Sequence, residues 1–159
     1  MIPAICNAME NKTQVIASLH PAYLARFGVT GINGIREAMK KLGFADAADA
    51  AEGASLMISQ YRALFAEQKE PGIMISSACP VIVQFVRKHY PHLLGNLVQS
   101  ASMMQFHASY LKKKYPGAEI VYVSPCISAM SELRDSGNEV DYVITLEELA
   151  QWMKKKGFP

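Results

Sequence analysis

Two cysteines next to prolines are the residues in this chain whose types and spacing could do chemistry. Cys79 precedes Pro80 after the apolar run 73–75, and Cys126 follows Pro125 after the run 119–123. Both runs are predicted strands, and open α/β sheets place chemistry at the carboxyl ends of their strands. The two thiols could therefore converge on one metal centre, although two thiolates alone do not complete a site.

The proline neighbours are expected to position the two thiols in different ways. Pro80 suits the first turn of a helix, so Cys79 is predicted at a helix N-terminus, where the macrodipole stabilises a thiolate. Pro125 restricts the backbone of the turn that holds Cys126. From composition alone a cysteine is more often a small buried apolar residue than a ligand, and that interpretation stays open beside the metal site.

The elements that must position these thiols alternate between strands and helices. This alternation predicts an α/β fold with a mostly parallel four-stranded sheet and helices on both faces. The predicted strands are 15–19, 73–75, 119–123 and 141–144. Four predicted helices span residues 35–42, 80–90, 102–115 and 146–156, and Thr145 is the predicted N-cap of the last. A fifth predicted helix begins at about Met57 and ends before residues 70–72. The Ala/Asp-rich segment that begins at Asp46 is assigned no strand.

Composition indicates one soluble globular domain. The chain has 159 residues, 50% of them hydrophobic and 19% charged, with a formal net charge of +2. The lysine clusters at 112–114 and 154–156 lie at predicted helix ends, where they offset the macrodipole, so no nucleic-acid binding is expected. No apolar run approaches the roughly 20 residues of a membrane span, and the N-terminus has no signal-like apolar core, so no membrane contact is expected.

The cysteine count favours a reducing compartment. Three cysteines make an odd number in a chain of this size, which argues against a disulfide framework and for a cytoplasmic location. Cys6 lies in a short N-terminal stretch, residues 1–12, that is interpreted as a lead or linker, and it is expected to be a spectator.

The stretches around the cysteines resemble motifs of the iron-only ([FeFe]) hydrogenase catalytic domain. Residues 76–80, Ser-Ser-Ala-Cys-Pro, are similar to the family's Thr-Ser-Cys-Cys-Pro, and 123–126, Val-Ser-Pro-Cys, to its Met-Pro-Cys-Thr-Ala-Lys-Lys. Residues 102–105, Ser-Met-Met-Gln, resemble its Ser-Pro-Gln-Gln. Flanking segments at 15–22 and 140–149 also fit, so the ordered resemblance covers roughly residues 12–157.

The resemblance implies a metal site and a two-lobed architecture. In the family, the cysteines at the positions of Cys79 and Cys126 ligate the [4Fe-4S] part of the catalytic cluster. The other two ligands come from a Cys-x-x-x-Cys motif that does not occur before Pro159, so residues 13–159 look like the N-terminal lobe, sharing the cluster with a missing second lobe. Pro21, Ser102, Met103 and Met104 match positions beside the cluster and are candidate cofactor-binding residues.

Departures from the family pattern argue against rapid hydrogen turnover. Ala78 replaces the cysteine that passes protons to the di-iron centre, Ala129 replaces a lysine that binds one of its cyanides, and Ser124 replaces a methionine. These changes weaken the case for a di-iron subcluster, and no catalytic residue is assigned. They resemble the sensory branch of the family, in which the cluster domain is attached to signalling modules.

Two functions follow from these observations. The first is an iron–sulfur-cluster-binding lobe that acts in redox or hydrogen sensing with a second lobe, signalling modules and a redox partner. The second is a cluster-free interaction domain that has kept the scaffold. An inner apolar face left uncovered without the second lobe also predicts that this chain can form a homodimer.

Overall fold

Four parallel strands form the centre of the structure, which is a computed structural model describing residues 1–67, 72–135 and 139–158. The strands are β1 (Val15–Leu19), β2 (Asp46–Asp49), β3 (Glu119–Ser124) and β4 (Tyr142–Thr145), in the order β2-β1-β3-β4. The helices are α1 (Ile2–Glu10), α2 (Tyr23–Phe27), α3 (Asn33–Leu42), α4 (Ala51–Glu67), α5 (Pro80–His89), α6 (Met103–Lys114), α7 (Ser128–Asp135) and α8 (Leu146–Lys155), with a 3-10 helix at Pro91–Asn96. The predicted α/β class and four-stranded parallel sheet are confirmed.

Helices cover both faces of this sheet. All five residues of β1 are buried, as expected for a parallel strand covered on both sides. On one face, α1, α2, α3 and α8 bury side chains that include Ile5, Met39 and Trp152. On the other face, α6 and α7 bury side chains that include Leu111 and Ala129. The chain thus has two apolar cores separated by the sheet.

The fourth strand of the sheet is not the one predicted. The apolar run 73–75 lies outside the sheet: Ile75 forms one isolated parallel bridge with Leu97, and Ile73 is 77% exposed. The strand is instead Asp46–Asp49, which pairs with β1. Its two alanines are small and buried, and its terminal aspartates are satisfied by side chains, Asp49 by the Tyr23 hydroxyl at 3.1 Å. The high strand propensity of residues 73–75 therefore led to the wrong assignment of the fourth strand.

The N-terminal stretch is an element of the fold. Residues 1–12, interpreted as a lead or linker, contain α1, whose Ile5 is fully buried and whose Ala8 is nearly so. Cys6 is partly buried and packs against the same core. Burial of this apolar stripe explains why a short helix without a side-chain N-cap forms here. The boundary proposed at residue 13 stays a prediction.

The start of α8 follows the sequence prediction. The Thr145 hydroxyl accepts the Glu148 N–H at 3.0 Å, and the Glu148 carboxylate accepts the Thr145 N–H at 2.7 Å. This reciprocal capping box satisfies two N-terminal donors and ends β4 where the helix begins. In the described part of the chain, the helices are all too short or too polar to cross a bilayer.

Close packing of α4 on α6 depends on Gly53. A Cβ at this position would lie 2.6 Å from both the His107 Cβ and the Met103 carbonyl oxygen. His107 is fully buried beneath this contact, with Nδ1 2.7 Å from Ser18 Oγ on β1. The absent side chain thus lets α4 approach α6 and close the second core.

We expect Gly53→Ala to lower the free energy of unfolding by about 2 kcal/mol, because a methyl group must displace backbone atoms in a packed contact. Alanine normally stabilises a helix relative to glycine, so a loss would report the contact itself. Gly31→Ala is the matched control, since nothing lies within 4 Å of its Cβ position. Urea unfolding of both variants gives the comparison, and equal stability of the two would contradict the packing argument.

Burial of His107 predicts a stability loss in mild acid. Burial, together with the charge of Lys114, lowers the pKa of His107 to about 4, although Asp49 opposes the change. The neutral ring is favoured in the folded state, and the unfolded ring gains a proton below about pH 6.5. Stability should therefore fall as pH drops from about 6.5 to 4, by up to about 3 kcal/mol.

The free energy of unfolding, measured across this pH range, should depend less on pH in His107→Gln than in the unsubstituted chain. His92→Gln, at an exposed histidine, is the control and should keep the original dependence. An NMR titration of the folded chain reads the same group directly. A His107 pKa of 6 or above would show that burial does not hold the ring neutral.

Candidate metal centre

A cavity of about 210 Å³ lies beyond the carboxyl ends of β1 and β3. Its lining includes Cys79 at the start of α5 and Cys126 in the loop between β3 and α7. It also includes three further residues singled out in the sequence, Ser102, Met103 and Met104, from the start of α6. The structure thus brings five of the six candidate site residues to one cavity, here called the cysteine cavity.

Cys126 is held by a compact turn at the end of β3. The Ser124 hydroxyl donates to the Cys126 carbonyl at 2.9 Å and accepts the Cys126 N–H at 3.0 Å. The Cys126 Sγ lies 3.0 Å from Ser128 Oγ, and hydrogen bonding to the Ser128 side chain and backbone lowers the pKa of Cys126. The thiol is exposed, so a thiolate here is both favoured and accessible.

Cys79 is the N-cap of α5, with Pro80 at the first helical position. The helix N-terminus predicted for it is present, but the strand predicted before it is not. Tyr61 of α4 anchors the preceding loop instead: its hydroxyl accepts the Ser77 N–H at 3.0 Å and lies 3.1 Å from Ser76 Oγ. Ser77 Oγ then donates to the Ser100 carbonyl at 3.2 Å. Sequence reasoning missed Tyr61 because its partners lie 15 and 16 residues away.

The start of α6 places small and soft side chains at the cavity. Ser102 is the N-cap, and its hydroxyl accepts the Gln105 N–H at 3.3 Å. Met104 is buried in the second core, and Met103 packs partly against it. A thioether is polarisable and adaptable, so this wall can contact a bulky inorganic group without offering a competing charge.

The loop after β1 contributes His20 to the cavity, whereas Pro21 is not among the lining residues. His20 Nδ1 accepts the Ala22 N–H at 3.1 Å, so this loop histidine is bonded to the backbone. Burial lowers the pKa of His20, although Asp49 opposes the change. The role of Pro21 stays a prediction.

Two buried ionisable residues at the cavity were not assigned as site residues. Burial raises the pKa of the Glu132 carboxyl, and a hydrogen bond with Ser102 opposes that rise. Burial also raises the pKa of Tyr122, whose side chain is 4% exposed on β3. Burial therefore disfavours the charged form of both residues.

The donor set fits part of an iron–sulfur site. Two soft thiolates are suited to iron–sulfur clusters rather than to hard cations such as Mg²⁺. Among the described residues, no group of three or more His, Cys, Asp or Glu side chains could hold a metal ion. Cys6 belongs to the core on the opposite face of the sheet and cannot join this set. These residues could supply two ligands, and any others would have to come from outside this group.

Comparisons with known proteins give one consistent family. A model described as iron only hydrogenase large subunit, C-terminal domain, matches residues 13–159. Iron hydrogenase 1 of Clostridium pasteurianum is 30% identical over 162 residues, covering 91% of this chain and 28% of that protein. Cytosolic Fe-S cluster assembly factor NAR1 of Encephalitozoon cuniculi (strain GB-M1) is 28% identical over 98 residues, covering 62% of this chain and 26% of that protein.

A solved structure shares the fold as well. It comes from work on the oxygen inactivation of an [FeFe]-hydrogenase through the 2Fe subcluster of its H cluster. The TM-score is 0.75 at 25% identity, with 92% of this chain and 44% of that chain covered. The present chain therefore spans between about a quarter and a half of the relatives it matches.

The Ser128 contact should make Cys126 more reactive than an ordinary thiol. We expect Ser128→Ala to slow alkylation of Cys126 by iodoacetamide at neutral pH, because loss of the hydrogen bond raises the pKa and lowers the thiolate fraction. Mass spectrometry of peptides gives the rate at each cysteine. Cys79 is the internal reference, and Ser59→Ala, at an exposed serine of α4, is the control. An unchanged Cys126 rate would show that Ser128 does not stabilise the thiolate.

Proposed function

The chain belongs to the iron-only hydrogenase large-subunit family, and we propose that it supplies Cys79 and Cys126 as ligands to an iron–sulfur cluster. The observation that carries the proposal is the cysteine cavity, which both exposed thiols line from separate elements. Packing alone does not account for two exposed thiols that line one cavity. Thiolate ligation accounts for it directly.

The proposed cluster is of the [4Fe-4S] type, shared with a second lobe. Such a cluster takes four thiolates, of which Cys79 and Cys126 would be two. When bound, it would supply one-electron redox chemistry. The hydrogen bond between Cys126 Sγ and Ser128 Oγ lowers the pKa of Cys126 and so favours the ligating form, and Cys79 lies at the N-cap of α5. Met103 and Met104 would shield the group from water.

Sensing of redox state or of hydrogen fits the cavity better than fast turnover does. Ala78 and Ala129 both line it, and their methyl groups can neither take nor give a proton. Glu132 is the one carboxyl that lines the cavity in the described part of the chain, and it forms a hydrogen bond with Ser102. Ala78 and Ala129 thus offer no side chain for proton transfer beside a redox group.

A cluster-free interaction domain is the alternative, and the exposed apolar face of α5 favours it. Val81, Ile82 and Phe85 are between 42% and 49% exposed on α5, the helix whose N-cap is Cys79. Such a face is typical of a surface covered by another protein unit. A second lobe, a signalling module or a second copy of the chain could cover it, with or without iron. Iron content separates the two functions.

The deciding experiment loads this chain anaerobically with iron and sulfide, together with the second lobe proposed to share the cluster. Cys79→Ser and Cys126→Ser should each weaken iron retention by at least about tenfold, since even supporting residues of metal sites contribute that much. Iron analysis after gel filtration and the visible absorbance give the measurement. The expected result is loss of both the iron and the brown colour.

Cys6→Ser is the matched control, because Cys6 packs in the opposite core and should leave the iron content unchanged. Circular dichroism of each variant checks that the fold persists, as expected for two exposed cysteines. Full iron retention in the Cys79→Ser/Cys126→Ser double variant would overturn the metal proposal and favour the interaction domain. In a loaded protein, a hydrogen-dependent spectral change without appreciable hydrogen release would support sensing.

A further inference from the structure

The amino edge of the sheet gathers a surface of lysines opposite the cysteine cavity. In a parallel sheet, helices that return between strands run antiparallel to them, so their carboxyl ends meet where the strands begin. The ends of α1, α3, α6 and α8 all carry lysine here. The exposed ones, here called the lysine edge, are Lys12, Lys40, Lys41, Lys113, Lys114, Lys154, Lys155 and Lys156.

Contacts in the structure show that these helix ends meet. Gly43 at the end of α3 lies against Met9 of α1, whose Sδ is 3.0 Å from the glycine's Cβ position. Phe44 packs on Trp152 of α8 with ring centroids 5.7 Å apart. At the end of α6, the Tyr115 hydroxyl donates to Asp46 at 2.8 Å, at the start of β2. The four ends therefore form one continuous surface.

Acidic side chains at this edge are already engaged inside the fold. Asp46 pairs with Arg36 at 3.1 Å, and Asp141 pairs with Lys112 at 2.8 Å. Glu119 interacts with the Tyr142 hydroxyl. Among the side chains that the structure describes, three further acids lie nearby in the chain but leave the lysines well in excess: Glu10, Glu37 and Glu139.

The positive charge of the lysine edge exceeds the amount that would neutralise the helix macrodipoles at these carboxyl ends. Each helix end carries roughly half a negative charge, so four ends amount to about two. The eight exposed lysines are half of the chain's sixteen Lys and Arg residues, in a chain of net charge +2. Macrodipole compensation therefore explains only a part of them. Concentrated charge of one sign attracts a partner of the opposite sign.

From this surface we infer that the lysine edge docks a carboxylate-rich segment of a partner protein. All eight cations are lysine, which binds as a flexible point charge, whereas arginine's planar fork is better suited to phosphate. Lys114 already lies over the rings of Tyr110 and Tyr115, so these rings are not free to stack on bases. At the carboxyl ends of α1, α3, α6 and α8, none of the described residues exposes a large aliphatic side chain that could insert into lipid. An acidic protein surface is the partner class that remains.

Docking at this edge leaves the cysteine cavity free. The inference does not depend on iron, so it stands or fails separately from the proposed function. The complex should be weak and salt-sensitive, because exposed ion pairs are screened as ionic strength rises. It would tether or recruit this chain rather than contact its redox site.

Fluorescence anisotropy of a labelled decaglutamate peptide against the purified chain tests the inference. We expect binding at low ionic strength that is lost at about 1 M salt, where the screening length is only about 3 Å. Lys41→Gln/Lys155→Gln should weaken binding by about fivefold, as expected for removal of two exposed charges. Arg26→Gln/Arg62→Gln removes equal charge away from this edge and should change the affinity by less than about twofold.

Three results would overturn the inference. One is no binding of decaglutamate at low salt. Another is equal weakening in both double variants, which would show that only net charge matters. The third is binding of duplex DNA or of phosphatidylserine vesicles in the same assay without binding of decaglutamate, which would assign the surface to a different class of partner. Thermal unfolding of both variants confirms that each is folded.

Discussion

The common direction of the four strands is the constraint on which the other features of this structure depend. Because β1 pairs in parallel with both β2 and β3, the chain must run back over a face of the sheet before each next strand begins. Helices make these connections and bury both faces. Strand carboxyl ends then meet at one edge and helix carboxyl ends at the other. The first edge receives Cys126 and His20 directly, and the second receives the lysines. The parallel topology therefore places the cysteine cavity and the lysine edge at opposite edges of the sheet.

Positioning of Cys79 shows how a site can depend on tertiary contacts rather than on the sheet. The loop before it has no strand neighbour, yet Tyr61 and Ser100 fix its backbone through hydrogen bonds. Tyr61 in turn depends on the placement of α4, which Gly53 allows to pack closely on α6. A methyl group at Gly53 would thus act on a thiol far along the chain. The cysteine cavity and the second core form one packing unit.

Sequence patterns predicted much of this arrangement, and the exceptions have physical causes. Strand β1, helix α8 and the Thr145 cap follow from local periodicity and capping chemistry, which the sequence displays directly. Strand β2 does not, because Ala and Asp have low strand propensity and only burial beside β1 selects them. The two thiols were predicted to converge from the motifs that contain them. Tyr61 could not be found that way, since its role comes from contacts between distant segments.

The separation of the two edges limits how a bound partner could affect a redox group. Strand β1 has five residues, which at about 3.3 Å each place the edges roughly 16 Å apart. A carboxylate-rich segment on the lysine edge would lie beyond a Debye length from the thiols at physiological salt, about 8 Å. Its direct electrostatic effect on Cys79 and Cys126 is therefore small. Any coupling would have to pass through the packed strands and helices between the edges, and fully buried residues such as Ile16 and Val121 leave little space for movement. The lysine edge is thus suited to hold the chain in place while its cysteine edge responds independently.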